Sequence, residues 1–559
     1  MQHKSGSNQF TFAIDFGTTN SHIEYSVNQG ASEPFSMTQQ DAMLKLWGTL
    51  ENQAKYIFGY DVLPDAIGED KLYKFPMRTA LCLASTTNWN KAVYPLGHTN
   101  IPFPYEKKRG YDYNWVITDL KWSNDPDNIK RIKNYIESLF IMLRMKVLLC
   151  NGNLSNTKII WFYPISMVEN RYNSFSDVWT KSYEKYFGGD ERNVIPMTES
   201  VAPYEHYRSA EANVGNIVTI DIGGGTTDIV LAKDGNVNNI TSFHFAADSI
   251  FGDPYISNRS SASVNKLLVQ YEKKIKDVLT HNKLGDLLDI LEQHHKSRIS
   301  SNIASFYFSL KDNNDIVSKK LSDNVDFNNM LLLDSNYKIV FVIFYAAIIY
   351  HLAHIMKAKS LEMPRHIAFS GNGSKVIRIL SSSNSTLEKF TKRIFEKIYG
   401  ENYPADGLTI LQNENNPKEV TCKGGLANPN YQEYEKMAHM KMVYKAVQIN
   451  GESFVNGDTY ASIDDNYIQR TVDEAKNFVN FVFDLNRELS FKNNFDSSEI
   501  SLEIAKKECM RDLGTFTKNG LDIKRQEVTN NDVIEETMFF YPLSGMLNAL
   551  ISAIYKKNN

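Results

Sequence analysis

The sequence predicts an α/β fold of two similar lobes followed by a mainly helical C-terminal extension. Three observations predict it. Two hairpins with turns of like composition stand 206 residues apart, counted from Asp15 to Asp221. Short apolar runs of strand length alternate with longer stretches of helical spacing. From residue 431 to residue 559 the pattern is largely helical.

The bulk properties set the frame. A chain of 559 residues has room for roughly three to four domains or subdomains. Its apolar share of 42% and charged share of 23% are those of a globular protein with an ample core. A formal charge of −4 speaks against a general nucleic-acid binder. Cys82, Cys150, Cys422 and Cys509 lie far apart with no CxxC spacing, the pattern of reduced thiols in a cytoplasmic protein rather than of a disulfide framework or a zinc site. The first ten residues, "MQHKSGSNQF", are polar and contain no apolar core of a secretory signal.

Taken in order, Phe10, Phe12, Ile14 and Phe16 alternate into a first turn, and Ile23, Tyr25 and Val27 alternate out of it. Residues 35–120 are rich in aromatics, prolines and turn residues and read as an insertion. Residues 127–150 have helical spacing, "TKIIWFYP" (157–164) is a buried strand stopped by Pro164, and a helix follows to about residue 187. "NVIPMTES" leads into another helix from about residue 200. The second hairpin runs from Ile217 to Ile222 and returns from Ile229 to Leu231; residues 260–330 are helical and polar. Ile339 to Met356 carries no formal charge between Lys338 and Lys357, long enough to span a membrane. Its two histidines, His351 and His354, and the glycine-rich strand end that follows it point instead to a helix buried all round. The strand "RHIAFSGNG" (365–373) comes next. The expected division is residues 1–195 for the first lobe, 196–430 for the second, and 431–559 for the extension.

The two turns, "IDFGTTNS" (14–21) and "IDIGGGTTD" (220–228), carry the chemistry. Glycine lets the backbone come close to an anion, successive amides form an anion-binding nest, and threonine hydroxyls add donors. Each hydrogen bond to a charged group contributes about 1.5–3 kcal/mol. Asp15 and Asp221 would repel a phosphate directly, so they make sense with Mg²⁺ between, an ion held through one or two carboxylates plus substrate phosphates. The residue mix fits a Mg-nucleotide gripped by one hairpin from each lobe. No GxxxxGK[ST] loop occurs.

Five segments in order resemble the actin, sugar-kinase and 70-kDa heat-shock chaperone superfamily, over about residues 10–430. "IDFGTTNS" is similar to its phosphate-1 motif in the chaperone form. "DIGGGTTDI" (221–229) resembles phosphate 2, nearer to bacterial actin-like proteins. "TESVAPYEHY" (198–207) resembles the helix start that supplies a glutamate, "IAFSGNGSK" (367–375) the adenosine motif, and "NPKEVTCKGGLA" (416–427) the closing segment. The resemblance implies a two-lobed actin-like ATPase fold: two ribonuclease-H-like domains around a nucleotide cleft that takes ATP or ADP with Mg²⁺. It implies that Asp15 and Asp221 hold the metal through water. Gly17, Thr18, Thr19 and Asn20 would meet the phosphates from one lobe, and Gly223, Gly224, Gly225, Thr226 and Thr227 from the other. Glu199 would orient the attacking water with help from Asp228. Gly371 and Gly373 would let adenosine lie on the backbone, with Asn372 and Lys375 nearby. A lysine from the first lobe is expected in the site, and Lys121 is favoured over Lys74.

The implied function is a chaperone-like ATPase switch that controls a protein partner; an actin-like filament, formed by self-assembly, is the alternative, and ATP-dependent pelleting separates the two. A small-molecule kinase fits less well, because no aspartate is placed as an acceptor base. The extension does not read as the β-rich peptide-binding domain of the chaperones. Its last segment places Leu543, Met546, Leu547, Leu550 and Ile554 on one stripe. Its polar face carries no Lys or Arg before Lys556 and Lys557, which favours packing on the core or a partner over a membrane surface.

Overall fold

The computed structural model describes residues 6–38, 66–68, 73–84, 87–103, 105–106, 115–123, 125–210, 216–234, 236–253, 263–412, 417–427 and 458–558. Much of the expected insertion over 35–120, Asn416 of the closing segment, and residues 428–457 at the start of the extension lie outside them. The chain divides into two compact units: Met1–Ala212 with Lys418–His439, and Asn213–Pro417 with Met440–Asn559.

The first unit is built on a mixed sheet. Strands β1 (Phe10–Phe16) and β2 (Asn20–Val27) form the first hairpin, and β3 (Glu33–Pro34) and β4 (Met77–Arg78) both pair with β2. A small separate sheet joins β5 (Leu81–Leu83), β6 (Thr99–Asn100) and β7 (Val116–Ile117). Strand β8 (Lys158–Tyr163) lies parallel to β1, and β9 (Val194–Thr198) parallel to β8. The main order is β3-β2-β1-β8-β9. The alternating residues Phe10, Phe12, Ile14 and Phe16 are all buried, and they face the same side as Ile23 and Tyr25 across the ladder. Phe16 meets Tyr135 of helix Asn128–Leu149 and Phe175 of helix Glu169–Phe187, while Trp161 stacks on Trp179 with ring centres 5.7 Å apart. The other face of the hairpin is covered by helix Glu419–Ala427, which also packs on helix Val201–Ala210.

The second unit repeats this plan. Strands β10 (Asn216–Ile222) and β11 (Thr227–Lys233) form the second hairpin, β12 (Asn236–Phe243) adds antiparallel to β11, and β13 (His366–Ser370) and β14 (Thr409–Gln412) follow in parallel. Its order, β12-β11-β10-β13-β14, is that of the first unit strand for strand: third, second, first, fourth, fifth. Helix Lys338–Ala358 is the one described helix long and apolar enough for a membrane, and 94% of its most apolar window is buried within the protein. Buried Lys338 donates to the carbonyl oxygens of Ile379 and Leu380 at the end of helix Lys375–Leu380, as a cation at a helix C-terminus should. Burial pushes its ammonium down to about 8.

Two expected boundaries move. Helices Val201–Ala210 and Glu419–Ala427, both placed by sequence in the second lobe, belong to the first unit, where they pack against each other and the latter covers the first hairpin. The helices after residue 458 are not a separate extension. Helices Asp465–Leu489 and Phe540–Asn558 pack on helix Lys338–Ala358, and Phe540 stacks on Phe243 with ring centres 4.0 Å apart. The stripe of Leu543, Met546, Leu547, Leu550 and Ile554 is buried within this unit.

Candidate functional site

In each unit the first strand of the sheet carries an aspartate as its penultimate residue and runs into a glycine turn, the position where open α/β sheets place ligands. Asp15 stands opposite His22 in the hairpin ladder, and Asp221 opposite Asp228. Two facing carboxylates repel, so the second arrangement calls for a cation or donors; Ser370 Oγ donates to Asp221 Oδ2 at 2.9 Å.

Both turns have carbonyl oxygens drawn back into the protein. Thr79 takes two in the first turn: its hydroxyl donates to Gly17 O at 2.8 Å and its amide to Thr19 O at 2.9 Å. In the second turn Gly223 O and Gly224 O accept from the amides of Ala247 and Asp248 at 3.3 and 2.8 Å. One amide is engaged as well: Gly223 N–H donates to Thr226 O at 2.9 Å and closes the second turn. Thr227 corrects the expected set of donors at one atom. Its hydroxyl donates to Phe245 O at 2.6 Å, so as a side-chain donor it is already committed.

Around the first turn the structure gathers four charges. Lys418 Nζ lies 2.5 Å from Asp15 Oδ2, and Lys121 is ion-paired with Glu199. Lys121 is 2% exposed and Glu199 12%, whereas the alternative Lys74 is exposed. Burial raises the Glu199 carboxyl above its ordinary range, Lys121 opposes this, Asp15 adds to it, and Lys418 opposes it. Beside Lys121, Trp122 Nε1 donates to Thr18 Oγ1 at 2.9 Å. The Arg171 guanidinium lies 5.6 Å from the Trp122 ring centre and donates to Lys121 O at 2.8 Å. Thus Asp15, Gly17, Thr18, Lys121 and Glu199 come together in the first unit. Thr19 and Asn20 complete the same turn.

In the second unit the adenosine-like strand end comes flush with the phosphate-2-like strand. Gly371 has φ +77°, and a Cβ there would collide with Ile222 O and Asp221 Oδ1. Only glycine relieves both the clash and the left-handed backbone. Asn372–Ser374 form a short 3₁₀ turn, with Gly373 against Gly223. Lys375 follows this turn at the start of helix Lys375–Leu380; it is half-buried, burial lowers its pKa, and its charged neighbours are Lys311, Asp312 and Asp326.

Sequence reasoning missed two residues. Lys418 stands in the stretch "NPKEVTC", but only the fold brings it to Asp15. Trp122 follows Lys121 in "DLKWS", but nothing local to that stretch signals its bond to Thr18, 104 positions away.

The residues fit a magnesium–nucleotide. Asp15 Oδ1 is buried and has no hydrogen-bond partner among the described residues, an acceptor suited to a water of a hydrated cation. No cluster of three or more metal-ligating side chains exists among the described residues. The ion would therefore rely on a carboxylate, its waters and the phosphates, as magnesium commonly does.

No family profile matches the chain, and no curated protein matches it in sequence. Among solved structures, the ethanolamine utilization protein EutJ from Carboxydothermus hydrogenoformans is similar over 75% of this chain and 89% of its own, at 10% identity and a TM-score of 0.29. A likeness of that size has no bearing on the site's chemistry.

Proposed function

We propose that this chain binds adenine nucleotide with Mg²⁺ and hydrolyses ATP, as a chaperone-like switch whose nucleotide state controls a protein partner. The observation that carries the reading is the duplication. Two sheets of one strand order each carry an aspartate one residue from the end of their first strand, and each follows it with a glycine–threonine turn two of whose carbonyls are tied back. One such turn is an ordinary loop; the recurrence of its composition on a second sheet of the same order is what favours a phosphate-binding role for each.

Within this reading each residue has a task. Thr18 donates to a phosphate oxygen, and the amides of Gly224 and Gly225 form a second set of donors; the Gly223 amide is already given to Thr226 O at 2.9 Å. A bound magnesium ion supplies charge neutralisation at the phosphates. Glu199 accepts a hydrogen bond from the attacking water and orients it. Lys121 holds the Glu199 carboxylate in place and in its charged form. Gly371 and Gly373 keep the strand end bare for the nucleoside.

Phosphate release from Mg-ATP without any added acceptor tests the activity. The reading expects turnover that Glu199→Gln lowers by roughly 10²–10⁴-fold, the span of a lost general base. Absence of release, or release unchanged in that variant, contradicts it. Capture of a partner by Glu199→Ala in ATP, above the level seen with the unaltered chain, tests the switch; ATP-dependent pelleting of the chain alone would favour a filament instead.

A further inference from the structure

Lys418 has a position with consequences of its own. Its ammonium is 2.5 Å from Asp15 Oδ2, and the two side chains are 13% and 3% exposed. Gly17 lies directly beneath it: a Cβ on Gly17 would come within 2.6 Å of Lys418 Nζ and 3.4 Å of its Cε. The lysine therefore runs over the phosphate-1-like turn itself. It opens helix Glu419–Ala427, which is fixed on the hairpin; Cys422 Sγ donates to His22 O at 3.6 Å, and Gly424 abuts Ala202. A lysine launched from so firm a base has little freedom to leave the turn altogether.

We infer that Lys418 is a resident counter-cation that competes with divalent metal for Asp15. In the absence of nucleotide it satisfies one oxygen of the carboxylate and repels a dication from the other. An arriving phosphate gives the ammonium a second anion close by, since the turn under Gly17 is where that phosphate would lie. The lysine then turns to the phosphate and Asp15 becomes available to the metal. The device makes metal binding conditional on nucleotide: free Mg²⁺ does not settle on Asp15, and the metal enters with its phosphates. The inference rests on the reading of Asp15 as the metal carboxylate.

Mn²⁺ alone is the probe, titrated into the nucleotide-free full chain and followed by the electron paramagnetic resonance of the unbound ion. Lys418→Met should bind Mn²⁺ about tenfold more tightly than the unaltered chain, because a like charge has gone from the carboxylate. Lys418→Arg should not, and Lys418→Met with Asp15→Asn should lose the gain. Lys418→Gln replaces the methionine variant if that one does not fold. Equal Mn²⁺ affinity with and without the lysine, or a gain that survives Asp15→Asn, overturns the inference. A parallel ADP titration of the unaltered chain judges the nucleotide reading separately: no ADP binding there with the Mn²⁺ pattern intact would refute that reading and leave the competition at Asp15 standing.

Discussion

An indole N–H can only donate, so the bond from Trp122 to Thr18 Oγ1 fixes which way that hydroxyl works: it accepts from the ring and keeps its own hydrogen for an anion. Trp122→Phe retains the ring and removes the donor. It should weaken Mg-ADP binding by about 1 kcal/mol, roughly fivefold, the net worth of one hydrogen bond, and leave the thermal midpoint unchanged; calorimetric titration and a melting curve check the two halves. The Glu199–Lys121 pair makes a pH prediction. Burial raises the Glu199 carboxyl and Lys121 opposes the rise, so hydrolysis that needs the carboxylate falls off on the acid side. Lys121→Met removes the opposition, and the acid limb of the rate profile should move to higher pH. A limb that stays in place would separate Lys121 from the charge of Glu199. Of these residues, Glu199 and Lys121 were legible because they sit within motifs or beside them. Lys418 was not, because its partner lies 403 positions away in sequence and only the fold brings the two together.

The hairpins were the most legible elements. A strand buried on one face against helices shows its period of two, and Phe10, Phe12, Ile14 and Phe16 display it. Unit membership was less so. Helix Val201–Ala210 joins the first unit through a segment more than 200 residues downstream, and no local pattern encodes such a partner. The C-terminal helices are held to the second unit by a buried network: Glu536 Oε2 lies 2.6 Å from His244 Nδ1, its Oε1 3.3 Å from Lys524 Nζ, and Tyr541 donates to it at 2.9 Å. Burial alone would raise the Glu536 carboxyl, but His244 and Lys524 hold it well below the usual carboxylate range. Glu536→Gln removes the more buried of Lys524's two carboxylate partners, leaving Glu527 at 3.6 Å, and should cost about 3 kcal/mol of stability, the low end for breaking a buried pair, read from the denaturation midpoint of the second unit. The same region contains His351 and His354, pushed by burial down to about 3 and about 4 from an ordinary 6.5. Groups depressed on folding contribute fully above their unfolded pKa and lose that contribution as pH falls toward the folded value. The denaturation midpoint should therefore drop between pH 6.5 and 4, and His351→Leu should flatten that drop. An unchanged slope in this variant would mean that His351 is not held neutral. Gly371→Ala, by forcing a Cβ against Asp221 and Ile222, should weaken nucleotide binding more than it lowers the melting temperature.

At the scale of the whole chain, the echo between residues 14–21 and 220–228 marks a real duplication: two five-strand paths of one order, each with its aspartate one residue from the end of the first strand. The sequence disclosed this much because a phosphate-type turn draws on few residue types, whereas helices of common composition left no such mark on the rest of the chain. The proposed function takes both turns to serve a single nucleotide. Calorimetric titration of the full chain with ADP in the presence of Mg²⁺ tests this most directly, on the unaltered protein, Asp15→Asn and Asp221→Asn. The account predicts one ADP per chain and a loss of about tenfold or more in affinity for each variant, since each removes a charged partner of the metal. Two sites per chain, no binding heat, or a variant that binds as tightly as the unaltered protein would contradict it.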